Sequence, residues 1–314
     1  MLKRLALLVL IPFSLYAQED PFDFGPPKLT TTTRLAIGGY DQSFSDGYGR
    51  WKGWTLEGTV YPVQGGPWLF AAVGFDRPEG KGTLFSAGKY LLIGKASSVY
   101  LGLSGGTNTD ILPRGRVDVD FHLDIASGWK ADLAGAVSRF AGSDEIRMLQ
   151  AGPAYQGSTW SASVWLQRLQ YEPTGDSDTG CIVNLRLGAN DFAMWHNLRL
   201  AWGRGIIEST ASGGGLTGMG TTTSMTLGGN GYGSGMGGSG GMGGMGQGGS
   251  GSSSSSTSTS LIRLAGSAPQ ERLASLSGHW PLTDALALQA EATWGEQVST
   301  YHFWGGSLQV VVTF

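Results

Sequence analysis

The sequence predicts an all-β protein, an antiparallel transmembrane β-barrel of about fourteen strands, and three observations predict it. Amphipathic runs of strand length recur along the chain, the connections between them alternate between short and long, and the last run is apolar and closes on Phe314. Composition agrees. Charged residues make up 14% of the chain, against about 25% in typical soluble domains. Gly (53 of 314 residues) and Trp (11) are abundant. No stretch beyond the first residues approaches the roughly 18 uncharged apolar residues of a membrane helix, which excludes a helical membrane protein. A formal net charge of −3 suggests no nucleic-acid partner. The one cysteine, Cys181, can form no internal disulfide and reads as a small hydrophobe on a strand.

The elements follow in order. Lys3 and Arg4 precede an apolar run over 5–15, and Ala17 stands before Gln18-Glu19-Asp20. That is the layout of a secretory signal peptide, expected over 1–17, although Leu15 occupies a place where a small residue is preferred. The run is too short to span a bilayer, which takes about 20 residues. Residues 18–29 are expected to form a short periplasmic segment and 30–314 the barrel.

Strands are expected over 31–40, 50–63, 67–75, 83–93, 98–104, 115–126, 129–140, 145–155, 160–170, 180–187, 192–204, 270–279, 285–294 and 301–314. Merging two weak runs would give twelve. The lengths suit the roughly 9–11 residues that cross a bilayer as a tilted strand. The clearest run alternates Val117, Val119, Phe121, Leu123 and Ile125 with Arg116, Asp118, Asp120, His122 and Asp124. In a strand these sets point to opposite faces. A membrane barrel turns the apolar set to lipid and the polar set to the lumen.

Every second connection is tight and rich in Gly, Asn, Asp or Pro, as at Ser127-Gly128 and 281–284. The others are mostly longer and more polar, as at 41–49, 105–114 and 171–179. Outer-membrane barrels pair short periplasmic turns with longer extracellular loops, and an even strand count places both ends in the periplasm. Tyr61, Trp68, Trp129, Tyr155, Trp160 and Trp280 lie beside the tight turns, where amphipathic rings would form a girdle at the membrane edge. The terminal run places Leu308, Val310 and Val312 in alternation before Phe314. Such an ending resembles the sorting signal read by the barrel-assembly machinery of outer membranes.

Residues 110–164 carry a further resemblance. Leu112-Pro113 precedes a strand, Gly128-Trp129 marks a turn, a short acidic loop follows, and Tyr155-x-Gly157 precedes Trp160. This resembles the YaiO family of outer-membrane β-barrels over about residues 30–205, with the 54–61 stretch and the Gly-rich strands after it fitting as well. The resemblance implies an outer-membrane barrel without an established enzymatic activity.

The stretch 209–260 departs from that pattern. It carries no charged residue and is almost wholly Gly, Ser, Thr and Met. Such a composition buries no core and predicts a flexible, disordered loop in a connection of the long, extracellular class. Met219, Met225, Met236, Met242 and Met245 lie in it. Thioethers suit Cu(I), yet no His or Cys accompanies them, and a low-complexity insertion without a ligand is the favoured reading.

No metal-binding, phosphate-loop or nucleophile-elbow motif occurs, so no cofactor, metal or catalytic residue is assigned. His122 has Asp120 and Asp124 on its own strand face, an arrangement a general base could use, but no Ser nucleophile has a defined place beside it. A polar lumen wall explains it better. The expected lumen lining is Arg116, Asp118, Asp120, His122, Asp124, Asp132, Arg186, Arg199 and Glu291. The chain therefore reads as a non-enzymatic barrel of a Gram-negative outer membrane. It is either a structural or surface-interaction barrel or a narrow, weakly cation-selective channel, with a membrane-embedded hydrolase as the alternative. Its expected partners are membrane lipid, lipopolysaccharide and the assembly machinery, while any extracellular partner is unknown.

Overall fold

The structure is a computed structural model that describes residues 31–45, 50–77, 80–93, 97–108, 112–142, 144–188, 192–203, 271–297 and 301–314. The expected signal peptide, the 18–29 segment and the 209–260 loop lie outside these residues.

Among the described residues fourteen strands are present: β1 (Thr32–Phe44), β2 (Arg50–Tyr61), β3 (Trp68–Arg77), β4 (Gly80–Ile93), β5 (Ser97–Gly106), β6 (Gly115–Ala126) and β7 (Trp129–Arg139). Then come β8 (Glu145–Gln156), β9 (Trp160–Glu172), β10 (Ser177–Leu187), β11 (Trp195–Gly203), β12 (Glu271–Pro281), β13 (Leu286–Gln297) and β14 (Tyr301–Thr313). Each pairs antiparallel with its neighbours in sequence, and β14 pairs with β1 from Arg34↔Thr313 to Phe44↔Phe303, which closes the barrel. Closure leaves no unpaired sheet edge, the condition for crossing hydrocarbon with strands. Fourteen strands are found rather than twelve.

The period-2 pattern sets the two faces. On β6, Val117 is 50% exposed and Asp118 is 0% exposed, so the apolar set points outward and the charged set inward. The same holds for the outward Leu185 and Leu187 against the inward Arg186 on β10. Of the proposed girdle rings, Trp68, Trp129 and Trp160 are exposed, and Trp129, Tyr155 and Trp160 form a chain with centroids 5.2 and 4.9 Å apart. Tyr61 is different: it belongs to the inward set of β2, and its ring meets Phe192 at 5.4 Å.

Several strands run past their apolar alternation at the long-loop end. β1 reaches Phe44, β4 starts at Gly80, β10 at Ser177, and β13 reaches Gln297. Hairpin pairing continues there through polar residues that need no lipid contact, so hydropathy does not mark the end. β11 departs the other way and begins at Trp195, because Phe192 lies in the preceding turn. As a result the tight connections are scarcely shorter than several of the others. Residues 78–79 join β3 to β4 on the long-loop side, while 62–67 join β2 to β3 on the tight side. The length contrast rests on 107–114 and 204–270.

Glycine lets long side chains cross a strand. Gln309 on β14 lies beside Gly38 on β1, where a Cβ would meet Gln309 Cγ at 2.6 Å. Its amide thereby reaches β2, donating to Thr55 Oγ1 at 3.0 Å and Glu57 Oε1 at 2.7 Å. Tyr40 likewise passes over Gly53, and its hydroxyl donates to Gly74 O at 3.2 Å.

Candidate functional site

The chemistry-bearing residues face the barrel interior, and register decides which of them meet. On β6, Arg116 donates through Nε and Nη2 to Asp118 at 3.0 and 2.7 Å, one pleat apart on the same face. Asp120, the next inward residue, is also buried. His122 pairs in register with Asp132 on β7, and its Nδ1 lies 2.9 Å from Asp132 Oδ1. Trp165 on β9 reaches across β8 and donates Nε1–H to Asp132 Oδ2 at 3.0 Å. Asp124 lies at the tight-turn end of β6, exposed, opposite the buried Lys130.

The opposite wall carries three guanidinium groups, Arg34, Arg186 and Arg199, among three carboxylates, Glu57, Asp178 and Glu291. Arg186 on β10 is buried, donates Nε to Gly188 O at 3.0 Å and lies 4.7 Å over the Trp195 ring. Trp195 stacks on His279 at 5.9 Å with the planes 9° apart, and His279 Nδ1 lies 3.1 Å from Arg34 Nη2. Arg199 is buried between Asn184 and Ser275 in register. Glu291 on β13 is buried and accepts from Thr293 Oγ1 at 3.3 Å. Four inward carboxylates therefore gather on β6 and β7, while the guanidinium groups of β1, β10 and β11 share the other wall with Glu57, Asp178 and Glu291. Buried charges of this kind are tolerable only when paired or hydrated.

The structure brings together Arg116 with Asp118, and His122 with Asp132. It places Arg186 and Arg199 across the barrel from them and leaves Asp124 at the mouth. The sequence reading missed Arg34, Glu57, Trp165, His279 and Gln309. Each makes its contact with a strand beyond its neighbour, and nothing local in the sequence encodes that. It also missed how much of the interior is apolar. At the long-loop end Phe44 packs on Trp51 at 4.5 Å and on Phe303 at 5.2 Å, all three buried. Beside them stand Tyr40, Phe75, Leu84 and Leu112, and further round Phe140, Ile146 and Tyr171. At the tight-turn end Phe192 reaches back to Tyr61 and to Arg34, whose guanidinium lies 6.0 Å from its ring.

One serine does have a place beside His122: Ser98, its register partner on β5. The row Ser98–His122–Asp132 has the residue types of a hydrolytic triad. Its geometry is incomplete. Ser98 Oγ and His122 Nε2 make no hydrogen bond, and Ser98 is 1% exposed. The backbone N–H groups around it belong to the ladder with β4 and β6 and are not free to form an oxyanion hole. Among the described residues no group of three or more His, Cys, Asp or Glu is placed to hold a metal ion.

A closed antiparallel barrel with an apolar belt outside and paired charges inside defines an integral outer-membrane β-barrel protein. The family model described as the YaiO membrane beta barrel domain matches residues 32–204, and the chain belongs to that family. It resides in the outer membrane of a Gram-negative bacterium, in contact with membrane lipid. No curated protein matches it. Among solved structures, an anion-selective porin from Comamonas acidovorans is 9% identical with a TM-score of 0.42, covering 91% of this chain and 99% of the porin. OpdQ from Pseudomonas aeruginosa is 9% identical at 0.44 (90% and 98% covered). The outer-membrane protein Omp33 from Acinetobacter baumannii is 7% identical at 0.43 (90% and 99%). All three scores lie below 0.5, so the assignment rests on the strands and the family match.

Proposed function

We propose that this barrel is non-enzymatic and closed, a structural and surface-interaction barrel whose interior side chains fill the lumen. One observation carries the reading. Inward polar and charged groups are buried all round the circumference, with Thr55, Asp118, Gln150, Arg186, His279 and Gln309 each at most 5% exposed. A water-filled lumen would leave its lining wet. Eight-stranded barrels are filled and 16–18-stranded ones conduct, so fourteen strands with large inward side chains fall on the filled side.

Any residual ion flux is narrow and favours cations. Among the described inward residues, seven carboxylates (Glu57, Asp118, Asp120, Asp124, Asp132, Asp178, Glu291) stand against five cations (Arg34, Arg116, Lys130, Arg186, Arg199). Carboxylate-rich pores favour cations. In this reading 1–17 is a cleaved signal peptide, 209–260 projects from the cell, and lipopolysaccharide surrounds the outer half. The C-terminal strand, with Phe314 after it, engages the assembly machinery.

Vesicles bearing the purified full-length protein should swell in small sugars no faster than protein-free vesicles. Rapid swelling would overturn the closed reading. The Ser98–His122–Asp132 row favours the hydrolase alternative. Ester hydrolysis by the purified protein that is lost in Ser98→Ala would establish it.

A further inference from the structure

The outer wall of the barrel is recessed between β8 and β11. A groove of about 640 Å³ runs there, lined chiefly by Leu149, Ala151, Leu166, Arg168, Cys181 and Trp202. Register sets these side chains in two rows on the lipid-facing surface. Leu149, Arg168 and Thr179 stand side by side on β8, β9 and β10. Two residues nearer the tight-turn end, Ala151, Leu166, Cys181 and Trp202 do the same.

Small side chains produce the recess. Ala151 and Cys181 flank the protruding Leu166, and Trp202 forms the far wall.

Arg168 gives the groove a charged upper edge. It points outward, is exposed, and makes no hydrogen bond or ion pair with any described residue. Arg147, one row higher, differs: Glu145 holds it at 2.7 Å and Glu172 approaches at 3.7 Å. A cation on the lipid face of a barrel is costly in proportion to its depth, and an anionic headgroup relieves that cost through charge-assisted hydrogen bonds.

We propose that this groove binds one molecule of lipid A, its acyl chains lying on either side of Leu166, over Ala151 and over Cys181, and a headgroup phosphate on Arg168. The choice of lipid A over a phospholipid rests on the orientation given under Proposed function. With the long loops outside the cell, Arg168 and Trp202 lie at the outer-leaflet end of their strands. The chemistry matches from both ends, an apolar slot for the chain and a free guanidinium for the phosphate.

Native mass spectrometry of the full-length protein in detergent, titrated separately with lipid A and with phosphatidylglycerol, tests this. One lipid A should be retained, at least fivefold more tightly than phosphatidylglycerol. Arg168→Gln should weaken retention about tenfold, and Ala151→Phe, which fills the slot, should do the same. Arg147→Gln should leave retention unchanged. A heat-dependent gel shift verifies that each variant is folded, and Arg168→Gln alone decides if Ala151→Phe does not fold. Unchanged retention in Arg168→Gln, or equal retention of phosphatidylglycerol, overturns the proposal. An epitope inserted near Gly240 reports orientation independently. If it is reachable only after the outer membrane is permeabilised, the orientation falls and lipid A with it. If it is reachable on intact cells and Arg168→Gln has no effect, the groove alone is wrong.

Discussion

Asp118 has no exposure to solvent, and Arg116, on the same strand, holds both of its oxygens. Removing one partner of such a buried pair leaves a charge that neither water nor protein compensates, which costs about 3–5 kcal/mol. Asp118→Ala should therefore lower stability by about that amount, read from urea unfolding of the barrel in vesicles. A change below about 0.5 kcal/mol, the scale of a surface substitution, would show that the pair is wet. Alternation alone made Asp118 legible as an inward residue. It could not say whether that residue meets water or Arg116, because the answer depends on rotamers and on the neighbouring strands. Ser98 illustrates the limit. Its place beside His122 follows from the β5–β6 register, and no motif links residues 24 positions apart. Trp165 and His279 escaped for the same reason, since their partners Asp132 and Arg34 lie two or more strands away.

Among the elements, the tight turn between β6 and β7 is the most constrained. Ser127 and Gly128 have φ of 40° and 87°, the positive pair a two-residue hairpin of type I′ demands. A Cβ at Gly128 would lie 2.5 Å from Gln156 O. Gly128→Val should cost at least about 1–2 kcal/mol from the left-handed backbone alone, measured as a lower urea midpoint. An unchanged midpoint would mean that the turn adopts another geometry. This hairpin was legible from its sequence because strand alternation runs into a turn dipeptide on both sides. The long-loop ends of β1, β4, β10 and β13 were not, because pairing continues there through residues with no hydropathy contrast. The insertion at 209–260 falls between β11 and β12, whose pairing runs from Trp195↔His279 to Gly203↔Glu271. Loop-closure entropy grows only slowly with length, so deleting 209–260 should leave the heat-dependent gel shift intact. Loss of the shift would show that the tract helps to build the barrel.

At the scale of the whole molecule, closure and filling are separate matters. Closure follows from fourteen paired strands and was legible from their count and alternation. Filling follows from which side chains point inward, and here sequence patterning read only part. It named polar lining residues and left the filling open, whereas the long-loop end is packed by Phe44, Trp51, Phe303, Phe140 and Tyr171. On β8, Ile146 and Met148 point inward and Leu149 points outward. Both faces are therefore apolar, and alternation has nothing to report. With aromatic packing at one end, Phe192 reaching in at the other and paired charges between, the barrel should hold no steady aqueous path. Single-channel recording of the full-length protein in planar bilayers tests this most directly. It should give no steady conductance above the bare membrane, and any brief openings should favour cations; a large, steady current, above all an anion-selective one, would contradict it.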